Sequence, residues 1–344
     1  MEFNRRNFLA SASMAAPLMF SPGIARAKEG VIKPKRLAPG NTIGIISPAS
    51  ITFNSTRLEI VEESLAALDL KIKTGKHALD RWGYFAGKDE DRASDINEMF
   101  GDDNIDAIFA LTGGWGCARL LPLLDYERIR KNPKILMGFS DVTALLIGIF
   151  AKSNLVTFHG PTGNSTWNPF TVDYMRRILF DGEMVTMKNP VDFGDNLTQT
   201  KDRIRTITPG KAKGKLVGGN LTVLTTIIGS GYLPDWKGSI LFLEDLNESI
   251  YRVDRMLTQL HLAGVFDNLA GIVFGKCSDC DPKSHYSGFT LEEVLIDHFK
   301  LLGIPVFHGS MIGHIKQKFT VPVGIDVEID ADNGTITMLE QAVI

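Results

Sequence analysis

Ser140 is the residue whose surroundings imply the most chemistry. It stands in Ile135-Leu136-Met137-Gly138-Phe139-Ser140-Asp141-Val142-Thr143, where a short apolar run gives way to a helical pattern. A strand that turns sharply into a helix lifts a serine hydroxyl clear of the sheet. The free N–H groups at the helix N-terminus then face any negative charge that develops beside it. This is the pattern of a nucleophile elbow, with Val142 in place of the usual second glycine. The competing reading is that Ser140 caps the helix.

A serine nucleophile needs a base, and the base needs an orienting carboxylate. Of the seven histidines, His77, His261 and His298 lie in helical or polar contexts and His285 in a polar loop. His159 follows a strand in Phe158-His159-Gly160-Pro161, while His308 and His314 flank Gly309-Ser310-Met311-Ile312-Gly313. Spacing does not choose among these last three. Glu244, Asp245 and Glu248 gather at a strand end ahead of a helix, where they also suit capping and helix-terminal charge. Glu244 ends an apolar strand and stands out from its neighbours. Gly113-Gly114-Trp115-Gly116 follows another strand, and its glycines let backbone N–H groups approach a ligand closely. No Lys-Ser/Thr follows Gly116, so this is not a phosphate-binding P-loop.

The elements that must hold these residues divide the chain. Buried-strand patterns at 42–46, 105–111, 135–137 and 155–158 alternate with helical patterns, which predicts an α/β domain over 28–165 with a parallel, flavodoxin-like sheet. Sites in such sheets form beyond the carboxyl ends of the strands, where Gly113–Gly116 and Gly138–Asp141 fall. Residues 166–213 are more polar and richer in Pro and Gly, and read as a linker with a short helix at 171–180. Over 214–344 the spacing predicts an α+β domain with antiparallel or barrel-like strands, helices at 249–263 and 290–302, and a closing hairpin at Asn333-Gly334.

The composition narrows the function classes. The 344 residues are 44% hydrophobic and carry a net charge of -3, which gives no electrostatic case for nucleic acid. No apolar run reaches membrane-spanning length. Residues 1–27 have the three parts of an export signal: Arg5-Arg6 followed by Phe8-Leu9, an apolar small-residue stretch, and an Ala25-Arg26-Ala27 cleavage site. The paired arginines point to twin-arginine export, hence to the periplasm or cell envelope. Cys277 and Cys280 form a lone C-x-x-C, which argues against zinc and leaves both a disulfide and free thiols open. Neither metal nor cofactor is expected.

Taken in order, Gly113-Gly114-Trp115-Gly116, Gly138-Phe139-Ser140-Asp141, Gly218-Gly219-Asn220-Leu221, Leu243-Glu244-Asp245 with Glu248, and Gly313-His314 resemble the LD-carboxypeptidases. These are serine peptidases of the murein tetrapeptide carboxypeptidase type, to which the microcin C self-immunity hydrolases are similar. The resemblance implies a triad of Ser140, His314 and Glu244 split between the two domains. It also implies an oxyanion hole from the N–H groups of Gly114 and Asp141, and substrate contacts at Trp115, Asn220 and Glu248. The implied reaction releases a C-terminal D-amino acid from a small muropeptide. The alternatives are a hydrolase of peptidyl-nucleotides or other modified peptides, and a muropeptide-binding protein without turnover. A homodimer is left open. Two positions depart from the family pattern: Thr112 stands where arginine is usual, and Trp115 where tyrosine is common.

Overall fold

In the computed structural model the described residues are 30–52, 54–280 and 288–344, so the stretch expected to be an export signal and His285 lie outside them. The first sheet is built from short apolar runs whose side chains are buried on both faces. β1 (Thr42–Ile46) leads into α1 (Ser55–Ala66), which Asn54 caps by accepting the Thr56 N–H, and then β2 (Lys71–Thr74). α2 (Asp89–Gly101) opens on three acidic residues that suit a helix N-terminus. After β3 (Ala107–Ala110) the chain forms a 3-10 segment over Cys117–Leu123; Pro122 lies inside it and cannot continue α hydrogen bonding. α3 (Tyr126–Lys131), β4 (Ile135–Gly138), α4 (Thr143–Ser153) and β5 (Thr157–His159) follow. The five strands are parallel in the order β2-β1-β3-β4-β5.

The stretch read as a linker carries structure of its own. α5 (Pro169–Leu179) begins at Asn168, whose side chain accepts the Thr171 N–H, and β6 (Thr186–Lys188) and β7 (Arg205–Thr208) come after it. Both strands are edges of the second sheet, and short polar edge strands leave little periodic signal.

β8 (Lys211–Asn220), α6 (Leu221–Thr226), β9 (Ile240–Leu246), α7 (Ile250–Leu262), β10 (Gly271–Ser278), α8 (Leu291–Phe299) and β11 (Val306–His308) alternate strand and helix. β8 to β11 are parallel neighbours, so this half has a parallel centre that its alternating end had concealed. The expected hairpin is β13 (Asp326–Asp330) with β14 (Thr335–Met338), which turns through Gly334 and adds antiparallel strands beside β8. The run just before it goes elsewhere: β12 (Val321–Val323) pairs antiparallel with β5 of the first sheet. Residues 309–320 therefore bridge the two sheets.

Val31–Ile344 forms one compact unit. α4 is buried along nearly its whole length, against the second sheet as well as the first. A Cβ at Gly219 would lie 2.5 Å from Thr143 at its start, and Gly324 has no room for one against the Phe150 ring. Cys277 and Cys280 are joined by a disulfide at the end of β10, and Cys117 is a buried free thiol. No described helix is long and apolar enough to cross a membrane. Phe242 is wholly enclosed at the middle of β9, two residues before Glu244. We expect Phe242→Ala to lower unfolding free energy by about 3–5 kcal/mol in a denaturant titration; a change under about 1 kcal/mol would show that this strand does not carry core packing.

Candidate active site

Ser140 sits at the turn between β4 and α4 with φ +63, the left-handed region that costs a non-glycine residue about 1–3 kcal/mol. Gly138 makes the turn possible despite the missing second glycine, because a Cβ there would lie 2.8 Å from Val142. The capping alternative is not realised: neither the 3-10 turn at Ser140–Val142 nor α4 has a side-chain cap. The hydroxyl instead opens on a cleft of about 690 Å³.

The glycine loop after β3 lies alongside. A Cβ at Gly113 would come 2.9 Å from the Ser140 Cβ, and Gly114, at φ +122, has none to set against Ser50 Oγ. Asp141 is fully buried, its Oδ2 accepts the Cys117 N–H at 2.8 Å, and burial pushes its pKa up. This bond ties the glycine loop to the elbow. Among the described residues no backbone hydrogen bond uses the N–H of Gly114 or Asp141. Gly114 adjoins Gly113, which packs against Ser140, and Asp141 follows Ser140 directly.

Glu244 is fully buried near the carboxyl end of β9, and its Oε2 meets His314 Nδ1 at 2.8 Å. Gly313, at φ +129, is needed there: its Cβ would lie 2.9 Å from that same oxygen. Ser278 Oγ donates to the His314 carbonyl at 2.9 Å, and the Phe139 ring stands edge-on to the imidazole at 4.9 Å. Burial by itself would raise the Glu244 pKa, but the hydrogen bond and charge of His314 outweigh it and hold the carboxyl below its usual range. With Nδ1 taken by a carboxylate, Nε2 is the nitrogen left for chemistry. His314 and Ser140 line the same cleft. Among the described residues no hydrogen bond joins them, and in ligand-free enzymes such contacts commonly tighten only with substrate bound.

The other histidines fall away. His159 is buried, neither ring nitrogen has a hydrogen-bond partner, and burial pushes its pKa down to about 4 against the pull of Glu244. His308 ends β11 in the second sheet. His77 and His298 are held at 2.7 Å by Asp80 and Asp254. Among the described residues His77, Asp80 and Asp91 are the group of metal-ligand types that gathers, and its histidine is already engaged.

None of the three expected substrate contacts is among the residues that line the cleft, and two of them are engaged elsewhere. Asn220 spends its side chain internally: Oδ1 accepts the Val223 N–H at 3.0 Å to cap α6, and Nδ2 donates to Asp245 at 3.1 Å. Glu248 accepts from Thr222 Oγ1 at 3.5 Å and faces Arg252 at 3.9 Å. Trp115 is exposed, one residue past Gly114 of the lining. The cleft is lined instead by residues the sequence did not single out, among them Ser50, Arg57, Thr162, Asn164 and Lys318. Ser50 follows the carboxyl end of β1, a position that the parallel-sheet rule could have flagged. Lys318 had no such signal.

A strained serine at a strand–helix turn, free backbone donors beside it and a buried carboxylate–imidazole pair across the cleft define a serine hydrolase. The chain belongs to the LD-carboxypeptidase family: residues 43–160 match its N-terminal domain and 213–329 its C-terminal domain. It is 36% identical over 297 residues to a probable murein peptide carboxypeptidase of Bacillus subtilis, covering 85% of this chain and 89% of that one. A solved structure of the microcin C7 self-immunity protein MccF in complex with aspartyl sulfamoyl adenosine superposes with TM-score 0.83 at 32% identity, covering 91% of this chain and all of the other. The muramoyltetrapeptide carboxypeptidase of Oxalobacter formigenes gives TM-score 0.75 at 29% identity, over 87% and 98% of the two chains.

His159 makes this site acid-sensitive. Its folded pKa is depressed to about 4, so between about pH 6.5 and 4 the unfolded chain binds the proton first and stability falls as pH falls. We expect a wild-type chain to lose about 3 kcal/mol over that range relative to a His159→Phe variant. Parallel urea-unfolding curves at pH 7 and pH 4 check this; an unchanged difference between the two proteins would refute it.

Proposed function

We propose that this protein is an exported serine LD-carboxypeptidase that removes the C-terminal D-alanine from murein tetrapeptide. The observation that carries the reading is the 2.8 Å contact between Glu244 and His314, set in the cleft that Ser140 shares. His314 Nε2 takes the proton of Ser140 as the hydroxyl attacks the scissile carbonyl. The carbonyl oxygen becomes an oxyanion between the N–H groups of Gly114 and Asp141. His314 then returns the proton to the leaving amine, the D-amino acid departs, and water activated by the same imidazole hydrolyses the acyl-serine. Glu244 fixes the ring orientation and stabilises its charged form.

Export is supported by Arg5-Arg6 ahead of the apolar stretch and by Ala25-Arg26-Ala27. The Cys277–Cys280 disulfide suits an oxidising compartment. In that setting the substrate would be murein of the envelope itself. A second reading is favoured by the likeness to MccF, whose structure holds an aspartyl sulfamoyl adenosine: a hydrolase of amino-acyl nucleotides. Such a ligand asks for an aromatic to stack on its base. Trp115 is exposed for that role, while Trp167 is half-buried with its indole N–H donating to the Gly163 carbonyl at 2.9 Å.

Two measurements test the proposal. Mass-resolved digestion of murein tri-, tetra- and pentapeptides should show loss of one D-alanine from the tetrapeptide, reduced by at least about 10⁴-fold in Ser140→Ala. No cleavage of any of the three, with turnover of an aspartyl nucleotide, would move the second reading ahead. Replacing Arg5 and Arg6 together by lysine should leave the precursor in the cytoplasm while the unaltered chain reaches the periplasm beginning at Lys28. Export of both alike would refute the twin-arginine assignment.

A further inference from the structure

Lys318 is a buried cation that the triad chemistry leaves unused. It is 6% exposed, yet it lines the cleft with Ser140 and His314. Its ammonium lies 3.6 Å from the centroid of the Phe139 ring, and its backbone N–H is held by Thr171 Oγ1 at 3.1 Å. Among the described residues it has no ion-pair partner; Glu244, the nearby carboxylate whose charge it feels, is bonded to His314. Burial lowers its pKa to about 8, so it is still charged at neutral pH. A buried ammonium without a bonded anion is costly, and the cost is recovered when a ligand supplies one.

The cleft has the matching bias. Its lining includes three cations, Arg57, Lys316 and Lys318, and no acidic residue. Arg57 and Lys316 are exposed to solvent, which leaves Lys318 as the buried one. Thr112, before the glycine pair, offers no charge.

Geometry says which anion would arrive. His314 must protonate the leaving amine, so the leaving residue lies over the imidazole. The Phe139 ring touches that imidazole at 4.9 Å and carries the Lys318 ammonium. The carboxyl carbon of a C-terminal residue lies only two bonds beyond its amine nitrogen, and consecutive Cα atoms are about 3.8 Å apart. The terminal carboxylate of the leaving residue is thus the group within reach of Lys318. We propose that Lys318 binds the C-terminal carboxylate of the substrate and so restricts the enzyme to chain ends. This rests on the peptidase reading above.

The test compares kcat and KM for a murein tetrapeptide and its C-terminal amide, in the full-length mature protein and in Lys318→Met. Wild type should prefer the free acid, and the variant should raise KM for the acid by about 10- to 100-fold, with little change in kcat and with the acid-over-amide preference lost. A variant that keeps the preference overturns the proposal. So does a fall in kcat alone, which would make Lys318 an electrostatic support of the triad. Lys318→Gln serves in the same comparison where the methionine variant does not fold. If wild type cleaves neither peptide, the peptidase reading fails first. Binding of the acid and the amide to Ser140→Ala, with Lys318 present or replaced, then decides the role of Lys318 separately: a preference for the acid that depends on Lys318 supports it, and equal affinities overturn it.

Discussion

The bond between Glu244 and His314 is the constraint on which the rest of the site depends. A fully buried carboxylate stays ionised only if a partner compensates for lost hydration, and here the partner is the imidazole at 2.8 Å. The bond fixes the ring at the same time, since Nδ1 is committed and Nε2 remains. It also dictates neighbouring sequence: Gly313 must be glycine for the loop to lie this close. The charge of the buried pair and the shape of the loop are one requirement.

That loop is placed by the way the two sheets share the chain. Glu244 comes from β9, in the middle of the parallel strands of the second sheet, while Ser140 comes from the end of β4 in the first. His314 follows both in sequence yet lines the cleft with Ser140, because residues 309–320 run from the second sheet to β12, which pairs with β5 of the first. Asp141 works in the same manner on the other side, where its buried carboxylate holds the Cys117 N–H. The turn at Ser140 is tied to the glycine loop through Asp141, and His314 to Glu244, each by a contact distant in sequence. The cleft between them is consequently preformed, with the orienting bond in place before any substrate binds.

Much of this was legible in the residues, and the failures have physical causes. The parallel first sheet could be read because its strands are apolar on both faces. Ser140 could be read because an elbow is a local motif. The pairing of Glu244 with His314 over the alternatives His159 and His308 came from family resemblance, since long-range contacts leave no spacing signal. The resemblance implies a substrate contact at Asn220, whereas its amide serves the cap of α6 and Asp245, a use that any strand-to-helix Asn can serve. The edge strands β6 and β7 were hidden because three or four residues are too few to establish a period. Lys318 was invisible for a different reason. A lysine in a polar run is normally solvated, and only the path of residues 309–320 between the sheets buries this one.

The most direct test of this architecture is a crystal structure of Ser140→Ala with an intact murein tetrapeptide bound. The scissile carbonyl oxygen should lie about 3 Å from the N–H groups of both Gly114 and Asp141, with the leaving nitrogen beside His314 Nε2. A peptide seated elsewhere, or a carbonyl that turns away from these two donors while Glu244 and His314 remain paired, would contradict the assignment of Ser140 as nucleophile.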